Sequence, residues 1–297
     1  MKRLRGCGTA LVTPFTRGGA VDVAALEELV RWQLAEGIDF LVPCGSTGEA
    51  QTLDADERIQ VVETVVRIVG GRVPVMAGAT HNDTRKAVEE ARRMCNLGVD
   101  YILSATPYYN KPTQEGLYRH FSAILDAATR PVCLYNVPGR TAVNLLPATA
   151  LRLAQHPNAI GIKEASGDLK QAMEIISGRP DRFAVLSGED WLTVGIVAAG
   201  GDGLISVVAN EVPAATTSMV RHALGAELEE ARDLLYRLLP LIDANFAETN
   251  PGPVKAALSA MGRVQNVLRL PLVPVSETTR STLLAALRTA GVEPAHV

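Results

Sequence analysis

The chain has 297 residues, 47% hydrophobic and 21% charged, with a formal net charge of −3. These are the proportions of an ordinary globular protein, long enough to bury a core without disulfide or metal staples. Aromatic residues are only 4% and there is no basic surplus, which argues against a nucleic-acid binder or a protein held on an anionic membrane surface.

Short apolar runs alternate with amphipathic stretches along the chain. Gly8–Thr13 reads as a buried strand, followed by a helix that Asp22 caps and Gly37 stops after Glu36. Phe40–Pro43 is the second strand, and Asp54 caps a helix that runs through Val69 to Gly70-Gly71. Val73–Gly78 precedes a helix over Thr84–Leu97 ending at Gly98, and Tyr101–Ser104 precedes one over Gln114–Ala128. The remaining strands are Val132–Tyr135, Ala159–Lys163, Ala184–Ser187 and Gly203–Val207, followed by helices at Pro147–Gln155, Leu169–Ile176, Trp191–Ala199 and Pro213–Leu224. None of the eight runs shows the polar alternation of a half-exposed sheet, so strands covered on both faces are expected. Eight βα units in about 225 residues predict a (β/α)8 TIM barrel over residues 1–224. An open doubly wound sheet is disfavoured, since no G-x-G-x-x-G follows the first strand. Beyond Leu224 only helical patterns remain, at Glu227–Phe246, Pro253–Met261 and Ser276–Thr289. Residues 225–297 are therefore expected to form a C-terminal helical appendage, with Asn250-Pro251-Gly252-Pro253 as a turn between two helices.

Cys7, Cys44, Cys95 and Cys133 form no C-x-x-C pair and mostly sit in apolar runs, as buried thiols of a reducing compartment do. The basic start Met1-Lys2-Arg3-Leu4-Arg5 reaches Gly6 and Gly8 without a long apolar stretch, so no signal peptide is expected. No apolar run approaches the ~18 residues of a membrane span, and a cytoplasmic protein is expected. His81, His120, His156, His222 and His296 have no metal-ligand spacing.

In a (β/α)8 barrel the carboxyl ends of the strands carry the active site. Lys163 ends the apolar run Ala159-Ile160-Gly161-Ile162, in a chain with only six lysines among 29 basic residues. A lysine there is either a desolvated amine able to attack a ketone carbon or one that snorkels off the strand end or pairs with Glu164. Gly45-Ser46-Thr47-Gly48 offers converging backbone N–H groups and two hydroxyls that suit a carboxylate, or it is an ordinary strand-to-helix turn. Glu49 reads as a turn-holding carboxylate. Tyr109 and Tyr135 could relay a proton through the Ser46 hydroxyl, or simply pack. Arg140, after the helix-hostile Val137-Pro138-Gly139, could fork onto a carboxylate or make a surface ion pair. Lys255 is expected to be structural, and Trp191 to anchor a helix.

Together these residues resemble the dihydrodipicolinate synthase / N-acetylneuraminate lyase family. The resemblance runs over nearly the whole chain, from Gly8-Thr9-Ala10-Leu11-Val12-Thr13-Pro14-Phe15 to Asn250-Pro251-Gly252-Pro253-Val254-Lys255, with five motifs in order. It implies that Lys163, in Gly-Ile-Lys-Glu-Ala-Ser, forms an imine with pyruvate. Tyr135, in Tyr-Asn-Val-Pro-Gly-Arg, would move protons beside it. Ser46 and Thr47 would hold the pyruvate carboxylate, with Ile205 lining the pocket and Gly188 in the substrate-binding set. Two features resemble the dihydrodipicolinate synthase branch: Tyr109, in Pro-Tyr-Tyr-Asn-Lys-Pro, as third member of a tyrosine–hydroxyl–tyrosine relay, and Arg140 as ligand of the second carboxylate. The resemblance implies condensation of pyruvate with L-aspartate 4-semialdehyde, no metal or organic cofactor, and a homotetramer built from dimers in which Tyr109 reaches into a neighbour's site. The relay hydroxyl is usually threonine in that branch and is serine here. The open alternatives are a pyruvate-dependent lyase of the same family acting on a sugar acid, and a non-catalytic barrel that binds a keto acid.

Overall fold

The apolar runs pair in parallel, and the helices between them cover the outside, in a computed structural model that describes residues 3–295. Met1, Lys2 and His296 lie outside the described residues. The strands are β1 (Gly6–Ala10), β2 (Phe40–Val42), β3 (Met76–Gly78), β4 (Tyr101–Ala105), β5 (Val132–Asn136), β6 (Ala159–Glu164), β7 (Ala184–Ser187) and β8 (Gly203–Ser206). Their order is β2-β1-β8-β7-β6-β5-β4-β3. A parallel bridge between Leu41 and Val75 closes β2 onto β3, supported by Leu41 N–H donating to Pro74 O at 3.1 Å and Gly78 N–H to Pro43 O at 3.0 Å. The sheet is therefore a closed (β/α)8 barrel, as the eight apolar runs predict.

Successive strand side chains face opposite sides, and two cores result. Phe40, Met76, Leu103, Cys133, Tyr135, Leu186 and Ile205 fill the barrel interior. Residues such as Leu26, Val62, Phe121 and Ile162 fill the layer between strands and helices. Side chains cap the helix starts where the sequence places them: Asp22, Asp54 in a capping box with Glu57, Asp168 and Ser276 each accept a backbone N–H of the first turn. Beyond the barrel, helices at Leu228–Ala244, Gly252–Ala260 and Glu277–Thr289 bury Leu238, Leu241, Ile242, Leu283 and Leu287 against Val208 and Val212, which follow β8. All four cysteines are free and buried, and burial pushes the Cys44 and Cys133 thiols up to about 12.

The structure corrects several local expectations. The first strand ends at Ala10 rather than Thr13, because Val12 N–H leaves the ladder and donates to Asn210 Oδ1 at 3.1 Å. Val137-Pro138-Gly139 does not exclude a helix: Pro138 opens a short one over Pro138–Thr141, since proline at the first helical position loses no hydrogen bond. The Trp191–Ala199 stretch splits into a 3-10 turn at Asp190–Leu192 and a helix at Thr193–Ala198. Asp190 turns inward there to accept from Ser206 Oγ and from the Val207 and Val208 N–H groups. Trp191 is left 45% exposed.

Candidate active site

The register of β5 and β6 sets Tyr135 beside Lys163 and Asn136 beside Glu164. Parallel neighbours share a face and successive residues alternate, so the first pair enters the barrel mouth and the second faces out. Lys163 is 5% exposed and Tyr135 7%, with Nζ 4.5 Å from the phenol ring centroid. Glu164 is not its partner. That carboxylate accepts from Ser166 N–H at 2.7 Å, Asn136 Nδ2 at 3.1 Å and Gln171 Nε2 at 3.2 Å, and burial raises its pKa. Among the described residues the lysine ion pairs are those of Lys170 and Lys255, which leaves the Lys163 amine without a carboxylate contact. Gly188 makes room for it, because a Cβ there would stand 2.9 Å from Lys163 Cε and 2.6 Å from the Ala165 Cβ.

The Gly45–Glu49 turn is held from both ends. Thr13 Oγ1 donates to Gly48 O at 2.7 Å. Glu49, left-handed at φ 52°, pairs with Lys255 Nζ at 2.5 Å and accepts from Arg269 N–H at 3.1 Å. Both members of the ion pair are fully buried, and Lys255 Nζ also lies 4.0 Å from the Phe15 ring centroid. The pair fastens the C-terminal helices to the turn that carries Ser46 and Thr47, a role the helical pattern around Lys255 does not reveal.

These residues surround a cleft of about 310 Å³ that continues into a chamber of about 50 Å³. Ser46, Tyr135, Arg140 and Asn250 line both spaces. Thr47, Lys163 and Gly188 line the chamber. Arg140, on the short helix after β5, donates through Nη2 to Asn250 O at 3.2 Å. Six of the eight residues expected at the site thus come together around one cavity. Ile205 is fully buried in the barrel interior, and Val207, two residues on, reaches the chamber wall. Tyr109 stands apart, 88% exposed with φ 73°, while its neighbour Tyr108 lines the cleft.

Two further residues, to which the sequence attached no catalytic or binding role, line the chamber. Glu189 lines the chamber with Lys163 and Arg140. Burial raises its carboxyl, Asp190 adds to the rise, and Lys163 and Arg140 oppose it. Its position directly after Gly188 at the end of β7 was the available signal. Asn250 enters from the C-terminal helices, and the sequence shows it only as part of a turn and of the last motif that carries the resemblance. No group of three His, Cys, Asp or Glu among the described residues is placed to hold a metal, and no described helix is long and apolar enough to cross a membrane.

An amine held out of water beside a phenol, with hydroxyl, N–H and guanidinium donors around one cavity, can add to the ketone of a small keto acid and hold its carboxylate. Barrel and buried lysine together define the class, a Schiff-base-forming (β/α)8-barrel lyase. Comparisons with known proteins agree. Residues 3–290 match the Dihydrodipicolinate synthetase family. The 4-hydroxy-tetrahydrodipicolinate synthase of Koribacter versatilis is 54% identical over 291 residues, covering 98% of this chain and 97% of that protein. The crystal structure of dihydrodipicolinate synthase from Thermotoga maritima superposes with a TM-score of 0.95 at 45% identity, covering 97% and 99% of the two chains. The chloride-inhibited enzyme from Acinetobacter baumannii, complexed with pyruvate, superposes with a TM-score of 0.95 at 43% identity and the same coverage. The chain belongs to the Dihydrodipicolinate synthetase family.

Proposed function

We propose that the protein acts as a 4-hydroxy-tetrahydrodipicolinate synthase, condensing pyruvate with L-aspartate 4-semialdehyde for diaminopimelate and lysine synthesis. The observation that carries this reading is Lys163, buried at the chamber beneath Tyr135 with Arg140 at the same cavity. Lys163 Nζ adds to C2 of pyruvate and water leaves, giving an imine. A C3 proton then departs to give an enamine, and C3 bonds to the aldehyde carbon, whose oxygen takes up a proton. The substrate's amino group displaces Lys163 from C2, closing the ring and freeing the lysine. The imine itself withdraws electrons from C3, so the chemistry calls for no metal or organic cofactor.

In this reading Ser46 and Thr47 hold the pyruvate carboxylate, Tyr135 carries protons at the imine, and Ser46 links it to Tyr109. Arg140 holds the carboxylate of the aldehyde substrate, Gly188 leaves space for the lysine stem, and Ile205 supports the apolar floor. Tyr109 lies outside the cavity of its own chain, which fits a site completed by a second copy in a cytoplasmic homotetramer built from dimers.

Pyruvate with borohydride tests the reading. The intact protein gains the mass of one reduced pyruvyl adduct on Lys163, and Lys163→Ala gains none. An adduct that persists in the variant, or none in the wild type, overturns it. A coupled assay offering aspartate semialdehyde against aldehydes of sugar-acid lyases fixes the second substrate.

A further inference from the structure

Asn250 is 4% exposed and reaches from the turn between two C-terminal helices into the wall of both cavities. Its Nδ2 donates to Thr47 Oγ1 at 2.9 Å, and its backbone oxygen accepts from Arg140 Nη2 at 3.2 Å. Its Oδ1 is buried without a partner. Turned over, the amide would face Thr47 with its oxygen and bury its NH2 group without an acceptor. Orphaned buried donors are the rarer case, so the orientation with Nδ2 toward Thr47 is favoured. A threonine hydroxyl has one proton and two lone pairs. With a lone pair taken by Asn250, the Thr47 proton is left to point elsewhere.

We propose that Asn250 is a positioning residue: by donating to Thr47 Oγ1 it turns the Thr47 hydroxyl proton toward the pyruvate carboxylate, while its backbone oxygen holds Arg140. This rests on the assignment of Thr47 to that carboxylate. A hydroxyl fixed as a donor stabilises an anion without the cost of reorienting on binding. The side chain serves the first substrate and the backbone the second, so side-chain replacement separates the two.

The test is steady-state kinetics of Asn250→Ala, Thr47→Val and the double variant, with pyruvate trapping by borohydride and thermal unfolding. Asn250→Ala should raise KM for pyruvate by about tenfold, the ratio carried by one hydrogen bond to a charged group. KM for aspartate semialdehyde should change much less. Since Asn250 acts through the Thr47 hydroxyl, the double variant should be no worse than Thr47→Val. Asn250→Asp keeps the shape but accepts the Thr47 proton. It should lose pyruvate affinity at least as strongly, and it carries the test if Asn250→Ala does not fold. Unchanged pyruvate KM in a folded variant, losses that multiply in the double variant, or equal loss for both substrates with a lowered Tm overturns the proposal. If Thr47→Val alone keeps wild-type pyruvate KM, the proposal falls with the assignment of Thr47. Absence of any adduct in the wild type would mark failure of the functional reading itself.

Discussion

Gly188 faces the Lys163 stem so closely that a single methyl group decides whether the lysine can stand in the chamber. The Cβ of Gly188→Ala would meet the Ala165 Cβ at 2.6 Å as well as Lys163 Cε at 2.9 Å. The lysine can swing aside but Ala165 cannot, being fixed to its backbone. Overpacking of this kind costs about 1–3 kcal/mol. Gly188→Ala should therefore lower Tm and slow borohydride trapping of pyruvate together, and a wild-type trapping rate would show that Lys163 does not need this space. Glu211 is a second residue whose surroundings set its behaviour. It is fully buried with Asn245 Nδ2 donating to Oε2 at 2.6 Å, and Oε1 has no partner. Burial, the largest cause, and the nearby Asp190 raise its pKa well above the ordinary range. A raised folded pKa contributes stability that is complete below the unfolded value of about 4.3 and is lost as pH rises through the folded one. Glu211→Gln cannot ionise, so its Tm should exceed that of the wild type by a margin that opens above about pH 4.3 and widens until the buried carboxyl ionises. Parallel Tm–pH curves for the two proteins would rule this out.

Secondary-structure elements were legible wherever one local rule governed them. Asp22, Asp54 and Ser276 mark helix starts because a side-chain oxygen meets an N–H within three residues. The buried runs at β5, β6 and β7 fall within a residue of their expected ends. Elements set by distant partners were not legible. Asn210 ends β1 from nearly two hundred residues away, and Asp190 bends the start of its helix by reaching β8. The same distinction holds at the site. Lys163 and Tyr135 were visible as polar ends of apolar strands, whereas Asn250 and Lys255 act through bonds to residues more than two hundred positions away. Lys255 makes the consequence measurable. Removing one member of a buried ion pair leaves an uncompensated charge and costs about 3–5 kcal/mol, while replacing both can be nearly neutral. Lys255→Met should therefore lower stability by about that amount, and Lys255→Met with Glu49→Gln should recover much of it. Additive losses in denaturant unfolding would show that the pair is not coupled.

At the scale of the molecule, one chain brings six of the eight expected site residues to one cavity, with Ile205 buried in the barrel interior and Tyr109 outside it. Tyr109 is 88% exposed on a loop where it and Lys111 both have positive φ, at 73° and 44°, a conformation that costs non-glycine residues of order 1–3 kcal/mol each. The loop is nonetheless braced, with Asn110 N–H donating to Tyr108 O and Asn110 Nδ2 to Asn82 O, each at 2.9 Å. Leu270 and Val273, 78% and 59% exposed, are further apolar side chains left uncovered, and they flank Pro271 and Leu272, which line the cleft. A second copy packed here would cover apolar surface at the cleft mouth and bring its own Tyr109 toward the Ser46 hydroxyl. Isologous pairing would make the exchange mutual, and each site in such a dimer would depend on the partner's tyrosine. Complementation between two impaired variants tests this directly. Tyr109→Phe retains Lys163 but supplies no phenol to its partner, and Lys163→Ala supplies the phenol but no amine. When the two are co-expressed equally, half of randomly paired dimers are mixed and each has one complete site, so activity should return to about one quarter of wild type. If Tyr109 serves its own chain instead, the mixture gives only the mean of the two parents, and a fully active monomer in sedimentation leads to the same conclusion.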